Sequence, residues 1–311
     1  TPVLSMNASA IVESDPIFTL RGIGMNDVQT NQNPSVTPYV DDVALASHVM
    51  VGFQIFDVER VEVLKGPQGT LYGRNTTGGA IKFISNKPSQ DFDFQMSSNV
   101  GELNRLEIEG AIGGGLKDEL SARFAVKSAR RDGWQKLVLG PNSGAGVDEN
   151  NGEVDRSSYR GSLLWEPSDS FNAFVVADYA EDKSEVLAFE HAGNLLADGS
   201  GGLCSFGTVG IRNEVECASF AQERDVIGGT AITPEQELVQ DLDGPRTVAA
   251  SFSQGNKIDM TSWGVTPTLN WDLDSFTLTS VTAYREYDRK LGSDQGGSPF
   301  VISDNLRKME I

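Results

Sequence analysis

The chain has 311 residues, with 44 acidic against 25 basic side chains and a formal net charge of −19 at pH 7. That balance argues against nucleic acid as a partner, because holding phosphates needs a basic face. No apolar run approaches the ~18 residues a spanning helix needs, which excludes a helical membrane protein and leaves a β-barrel open, since barrel strands bury only every second side chain in lipid.

Thr1 is not preceded by a basic-then-apolar leader, and Ile311 closes the strand-like alternation NLRKMEI, so both ends read as cuts in a longer protein. Residues 1–88 hold short strands between irregular stretches: IFTLRGIG, VTPYVDDVAL, VERVEVLKG and GGAIKFISNKP. A little helix is expected near GFQIFD and GTLYG. The mixture predicts a small α+β domain. Val61 and Val63, and Ile81 and Phe83, supply buried strand faces. The glycines between them suit turns and close backbone approaches, and Pro67 after Gly66 fixes the start of a turn. A phosphate cradle is excluded: GPQGTLYGRNTTGG has no Lys followed by Ser or Thr after a suitably placed glycine, and GIGMND lacks the third glycine of a dinucleotide fingerprint.

After Pro88 the texture changes to alternation. Phe92, Phe94, Met96 and Val100 share one face; Asp93, Gln95, Ser97 and Asn99 share the other. Leu106, Ile108 and Ile112 stand opposite Glu107 and Glu109, and Leu120, Ala122, Phe124 and Val126 stand opposite Ser121, Arg123 and Lys127. Tyr159, Gly161, Leu163 and Trp165 oppose Arg160 and Ser162, while Trp263, Val265, Leu269 and Trp271 oppose Gly264, Thr266, Thr268 and Asn270. Segments 170–182 and 275–289 alternate less cleanly. The pattern predicts about seven complete strands of roughly ten residues, the length a tilted strand needs to cross a bilayer. LKDEL, EPSDS and DLDS read as tight turns, and the loops near 133–156 and 183–257 as long connections. Short turns at one end and long loops at the other are the signature of an outer-membrane barrel. A soluble β-sandwich also alternates, but it does not explain the 183–257 insertion or the aromatics at strand ends, Trp134, Trp165, Tyr179, Trp271 and Tyr284. The charged faces then line an interior, which the domain before Pro88 can fill.

Cys204 and Cys217, the only cysteines, lie in a stretch rich in Gly and Ser. Their spacing suits a local disulfide in an oxidising compartment, with two unpaired thiols as the alternative. Neither CxxC nor a nearby His pair completes a zinc site, so no metal is expected. His48 and His191 are far apart, no GxSxG, HExxH or Cys–His set is present, and scattered carboxylates on strands suit a wet lumen better than acid–base work. No catalysis and no cofactor are expected.

TLRGIG at 19–24, PYVDDV at 38–43 and VERVEVLKGPQGTLYGRNTTGGAIKFISNKP at 58–88 together resemble the plug domain of TonB-dependent outer-membrane receptors. The residues that carry the resemblance are Arg21, Gly22, Glu59, Arg60, Glu62, Gly66, Pro67, Gly69, Tyr72, Gly73, Arg74, Gly78 and Gly79. Asp42 stands where the family commonly has Gly, which puts the turn there in question. The resemblance implies a mainly β fold: an antiparallel transmembrane barrel of 22 strands in the full protein, closed by a small α+β plug. Residues 1–88 would be the plug without its N-terminal part, and 89–311 the first seven or eight barrel strands. It further implies active uptake in the outer membrane of a Gram-negative bacterium, in contact with outer-membrane lipid and lipopolysaccharide. Energy would come from TonB, ExbB and ExbD through a TonB box lying before residue 1. A ferric siderophore is the expected cargo, with cobalamin, haem or an oligosaccharide as alternatives. A passive porin and a surface adhesion protein are the competing classes.

Three further expectations concern residues. Glu59, Arg60, Glu62 and Arg74 are well typed for breakable polar contacts between plug and barrel wall. In the family the loops after the RG box and after the PYVDDV strand face the external pocket, which assigns ligand contact to Arg21, His48, Met50 and Phe53. The 183–257 segment, with 11 acidic against 5 basic residues, would fold over the external mouth, stapled by Cys204 and Cys217.

Overall fold

A computed structural model describes residues 4–8, 12, 15–25, 33–45, 47–139, 150–188, 247–250, 256–294 and 304–310. The N-terminal unit contains two small sheets. β1 (Leu4–Ala8) and β2 (Pro16–Leu20) pair antiparallel. β3 (Val36–Val40), β4 (Val43–Ala44), β5 (Val58–Lys65) and β6 (Gly79–Ser85) form a second sheet in the order β4-β3-β6-β5, with β3 parallel to β6. The α-helical turn α1 lies at Gly69–Tyr72, where GTLYG suggests it, while the other helical piece is a 3-10 helix at His48–Phe53, mostly ahead of the expected GFQIFD. The turn after β3 forms without glycine. Asp41 and Asp42 both take the left-handed conformation, φ 48° and 67°, which a tight two-residue hairpin demands and Asp tolerates. Asp41 accepts hydrogen bonds from the Ser85 amide and hydroxyl, and Asp42 meets Lys82.

The rest is a wall of long antiparallel strands. β7 (Asp93–Gly101), β8 (Arg105–Lys117) and β9 (Leu120–Arg131) are followed by the short β10 (Gln135–Leu139) and β11 (Asn150–Asn151). β12 (Val154–Ser168) and β13 (Phe171–Asp182) precede β14 (Thr247–Ala250), and β15 (Ile258–Leu273), β16 (Phe276–Val281), β17 (Tyr284–Asp294) and β18 (Asp304–Glu310) complete the chain. The wall runs β18-β17-β15-β13-β12-β9-β8-β7, open at both edges, while β10, β11 and β14 make a separate small sheet within the long connections. The 275–289 segment is one strand broken in two. β15 pairs with β17 up to Val265 and with β16 from Thr268, so the break falls opposite Pro267, which has no amide to give the ladder.

The two faces of the wall differ in kind. Turned away from the N-terminal unit are Phe94, Ile112, Phe124, Leu163, Val265 and Leu269, all exposed. Aromatic rows cross this face at two levels. Trp165, Phe171 and Trp271 stack edge-on near the tight turns, and Tyr159, Tyr179 and Trp263 align near the long connections. The opposite face carries Ser121, Arg123, Ser158, Arg160, Ser162, Asp178, Ser262 and Arg289, all buried. They are buried because the N-terminal unit covers them. Its core of Phe18, Leu20, Val36, Val40, Val49, Met50, Ile81 and Phe83 continues without a gap into the wall residues Ala180, Ile258, Met260, Tyr287 and Leu291.

Candidate functional site

The densest polar contact among the described residues grips four consecutive residues, Gln54 to Asp57, between the 3-10 helix and β5. Asp57 takes φ 49°, which turns its carboxylate onto the wall. Arg123 on β9 clamps it, with Nη2 at 2.6 Å from Oδ1 and Nε at 2.8 Å from Oδ2. The Asp57 amide donates to Glu109 on β8. The Phe56 ring fits against the small inward residues Ala111 and Ala125, with the Arg160 guanidinium over its face at 4.5 Å. Arg160 also donates to the carbonyls of Phe56 and Gln54 at 2.8 and 2.9 Å. Gln54 donates to Asp178 on β13 at 2.8 Å, and Arg285 on β17 holds the same carboxylate bidentately. Four adjacent wall strands, β8, β9, β12 and β13, therefore each place a polar side chain on this one short segment, and Arg285 of β17 backs Asp178.

A second contact lies nearer the long connections. Asp15, just before β2, accepts from both Nη atoms of Arg289 at 3.0 Å, and both side chains are buried. Burial pushes the Asp15 carboxyl up to about 6, although Arg289 beside it pulls the other way. His48 lies in the same region. Burial, and then the Arg289 charge, bring its imidazole down to about 4, so it is neutral at pH 7. No group of three or more His, Cys, Asp or Glu able to hold a metal occurs among the described residues.

The residues singled out from the sequence fall in three settings. Gly66, Pro67, Gly69, Tyr72, Gly73, Arg74, Gly78 and Gly79 build the β5–β6 connection, where Tyr72 stacks edge-on against Tyr39 and its carbonyl accepts from the Tyr39 hydroxyl at 2.6 Å. Gly79 is required there, since φ is +145° and an added Cβ would stand 2.3 Å from the Leu64 carbonyl oxygen. Glu59, Arg60, Glu62 and Arg74 were expected to touch the wall, but Arg74 is exposed in the β5–β6 connection. Instead Arg60 bridges Glu59 and Glu62 on the exposed side of β5, and Lys82 joins Glu62. The described wall meets the segment before β5, not the strand itself, which also leaves Val61, expected on a buried face, half exposed. Arg21 and Gly22 form the exposed turn after β2, at φ 52° and 81°. His48, Met50 and Phe53 were expected to meet a ligand, but they are only 2, 4 and 4% exposed. Their side chains belong to the core between unit and wall, which corrects that expectation. Cys204, Cys217 and most of the 183–257 segment lie outside the described residues.

Sequence reasoning missed Asp15, Gln54, Phe56 and Asp57. The one available signal was Arg123 and Arg160 standing at inward positions of their strands, which demands buried partners without saying which.

Residues 3–80 match the family described as TonB-dependent Receptor Plug Domain. An iron-regulated outer membrane virulence protein of Vibrio cholerae is 37% identical over 147 residues, covering 45% of this chain and 21% of that protein. The catecholate siderophore receptor Fiu of Escherichia coli is 46% identical over 98 residues, 27% of this chain and 13% of the relative. The chain thus spans less than a quarter of these curated relatives. The crystal structure of the ferric yersiniabactin uptake receptor FyuA from Yersinia pestis superimposes with a TM-score of 0.65 at 18% identity, covering 94% of this chain and 38% of that one. At that identity the likeness establishes the fold.

Proposed function

We propose that the chain carries the plug domain of a TonB-dependent receptor, seated on the inward face of a receptor-type wall, and that the protein takes up a scarce ligand across a bacterial outer membrane by TonB-dependent active transport. The observation that carries this reading is the Gln54–Asp57 contact. A unit held in place by charged and hydrogen-bonded groups, rather than by a continuous apolar seam alone, can be detached and reseated, because water replaces such partners at modest net cost. In this reading residues 1–88 form the plug and 89–311 belong to the barrel. The tight turns face the periplasm, where TonB, with ExbB and ExbD, would act. The long connections face outward beside lipopolysaccharide.

The cargo we propose is a ferric siderophore. The names of the relatives support this choice: a catecholate siderophore receptor, an iron-regulated outer membrane protein and a ferric yersiniabactin uptake receptor. Of the four residues first assigned to ligand contact, Arg21 is the one a ligand can reach, and His48, Met50 and Phe53 would shape the apex from beneath. Iron-starved cells with and without the gene, supplied with a panel of siderophores loaded with radioactive iron, test the proposal. Uptake of one of them should require both this gene and TonB. Uptake that persists without TonB overturns the mechanism, and no gene-dependent uptake of any ferric siderophore overturns the cargo.

A further inference from the structure

Two inward rows of the wall share one arrangement: a carboxylate, a glycine and an arginine on three neighbouring strands. In the first, Asp93 of β7 stands opposite Gly113 of β8, and Gly113 opposite Arg123 of β9. In the second, Asp178 of β13 stands opposite Gly264 of β15, and Gly264 opposite Arg285 of β17. In both, the arginine crosses the middle strand to reach the carboxylate. Arg123 Nη1 lies 2.5 Å from Asp93, and Arg285 Nη1 lies 2.6 Å from Asp178. The glycines leave room for this crossing. A Cβ on Gly264 would stand 2.9 Å from the Arg285 guanidinium carbon, and one on Gly113 would stand 3.3 Å from Arg123 Cβ. Both ion pairs lie wholly within the wall, so they do not depend on the plug.

Both rows also hold the plug. Arg123 keeps Asp57 with Nε and Nη2 while its Nη1 keeps Asp93, and Asp178 accepts from Gln54. Beside Asp178 stands another buried charge, Arg160, its direct cross-strand partner. Opposite charges so placed are within reach of each other and stabilise a sheet when they meet. Here they do not meet. Among the described residues Arg160 bonds only neutral oxygens: the carbonyls of Phe56 and Gln54 at 2.8 and 2.9 Å, and the Gln54 side chain at 3.4 Å. Its Nε meets no acceptor. Every one of these bonds is to the plug, and every one is lost when the plug segment leaves. Water takes over part of that loss, but a guanidinium without a counter-charge would also grip any anionic group that passes it.

We propose that release of the plug segment Gln54–Asp57 is a partner exchange within the wall, in which Arg123 stays with Asp93 and Arg160 turns to Asp178. This rests on reading residues 1–88 as a plug that detaches. Arg123 needs no movement, since Asp93 already occupies its Nη1. Arg160 needs only a side-chain rotation, since Asp178 already stands opposite it and has just lost Gln54. The two arginines that grip the plug most firmly therefore each have a wall carboxylate in place for the released state. The lumen that opens presents paired charges, which hold a charged cargo less firmly than bare ones. Asp93 and Asp178 are positioning residues in this account, acting through Arg123 and Arg160.

Hydrogen exchange of the intact protein in detergent, with mild denaturant present, tests this through the protection of residues 54–65. In the seated plug Asp57 and Asp93 share one guanidinium charge, so each weakens the hold on the other. After release Asp93 has Arg123 to itself. Asp93→Asn should therefore slow exchange in 54–65 by about two- to fivefold, the size of one partly exposed ion pair, even though it removes an ion pair from the wall. A double-mutant cycle reads the second exchange. Asp178→Asn should speed exchange by a factor about two- to fivefold smaller in the parent than in an Arg160→Met background, because only with Arg160 present does it also remove a bond from the released state. Arg160→Gln replaces Arg160→Met should the latter leave no seated plug to measure. Exchange that is unchanged or faster in Asp93→Asn overturns the partner exchange at Arg123. A cycle with no coupling, or with coupling of the opposite sign, overturns it at Arg160. If 54–65 exchanges only together with the wall strands in the parent and in every variant, the plug does not detach by itself, and the proposed transport mechanism falls along with this inference.

Discussion

The plug sheet and the wall bury opposite kinds of side chain. In the plug, Val36, Val40, Ile81 and Phe83 go inside and Glu59 and Arg60 stay out. In the wall, Arg123, Arg160, Asp178 and Arg289 go inside, and Phe124, Leu163, Val265 and Trp271 stay out. The difference teaches that a strand pattern specifies two unlike faces but not which of them is interior. In the proposed reading that is decided by what lies beyond each face: water and a neighbouring layer for the plug, hydrocarbon and a polar lumen for the wall. It also explains where the buried polar contacts concentrate. The inward wall face needs partners for buried charges, and the plug supplies them from segments between its strands.

Removing one such partner should have the largest effect. Arg123→Ala leaves Asp57 buried without its main counter-charge, at a cost of ~3–5 kcal/mol. The loss should fall on plug seating rather than on the barrel. Hydrogen exchange in the 54–65 region should accelerate by orders of magnitude while the barrel's thermal unfolding stays in place. Equal loosening of both regions would break the distinction drawn between them.

Next is a charge on the opposite face. Leu163→Arg, near the middle of the outward band, should cost ~2–4 kcal/mol in a folding titration with lipid vesicles. The adjacent inward Ser162→Ala should be close to neutral. If the two variants cost the same, the assignment of faces is wrong.

The third prediction concerns pH and the contact at Asp15. The Asp15 carboxyl is raised from 3.8 to about 6, so the folded protein binds this proton more readily than the unfolded chain. Its contribution is fully present below about 4 and is lost as pH rises through about 6. His48 is lowered from 6.5 to about 4, so its contribution is present above about 6.5 and is lost as pH falls through about 4. The two trends oppose each other over nearly the same window. Plug seating in the parent protein should therefore vary little between pH 4 and 6.5. Asp15→Asn should leave seating that strengthens with rising pH, and His48→Gln seating that weakens with it, both read by exchange protection of β2. Parallel slopes in the two variants would refute this account.

The smallest effects are expected at two glycines, with opposite signs. Gly79→Ala drives a methyl into the Leu64 carbonyl at an unfavourable φ and should destabilise the plug by ~1 kcal/mol or more. Gly161→Ala meets no atom and should stabilise β12 by ~0.5–1 kcal/mol. Paired denaturation curves of the intact protein in detergent would detect both.

Much of this protein is legible in its sequence because the information is local. Alternation gave the strands, the polar pairs in LKDEL and DLDS gave the turns, and the ordered motif from Val58 to Pro88 gave the plug. The break at Thr282 and the turn at Asp41–Asp42 depend on a cross-strand proline and on side chains at Ser85 and Lys82, which only the folded sheets bring near. The same holds for the site. That Arg123 and Arg160 face inward follows from parity within their own strands. That they close on Asp57 and Phe56, 66 and 104 positions away along the chain, does not. Glu59, Arg60 and Glu62 have the right chemistry for a wall contact and the wrong placement, while Gln54–Asp57 carries no charge pattern that marks it. Local periodicity orients a side chain with respect to its own strand. Which buried charge it meets depends on how two separately formed sheets are stacked, and that is settled by the packing of Phe18, Val49, Met50 and Phe83 against Met260, Tyr287 and Leu291, a fit of shapes that no single stretch of sequence contains.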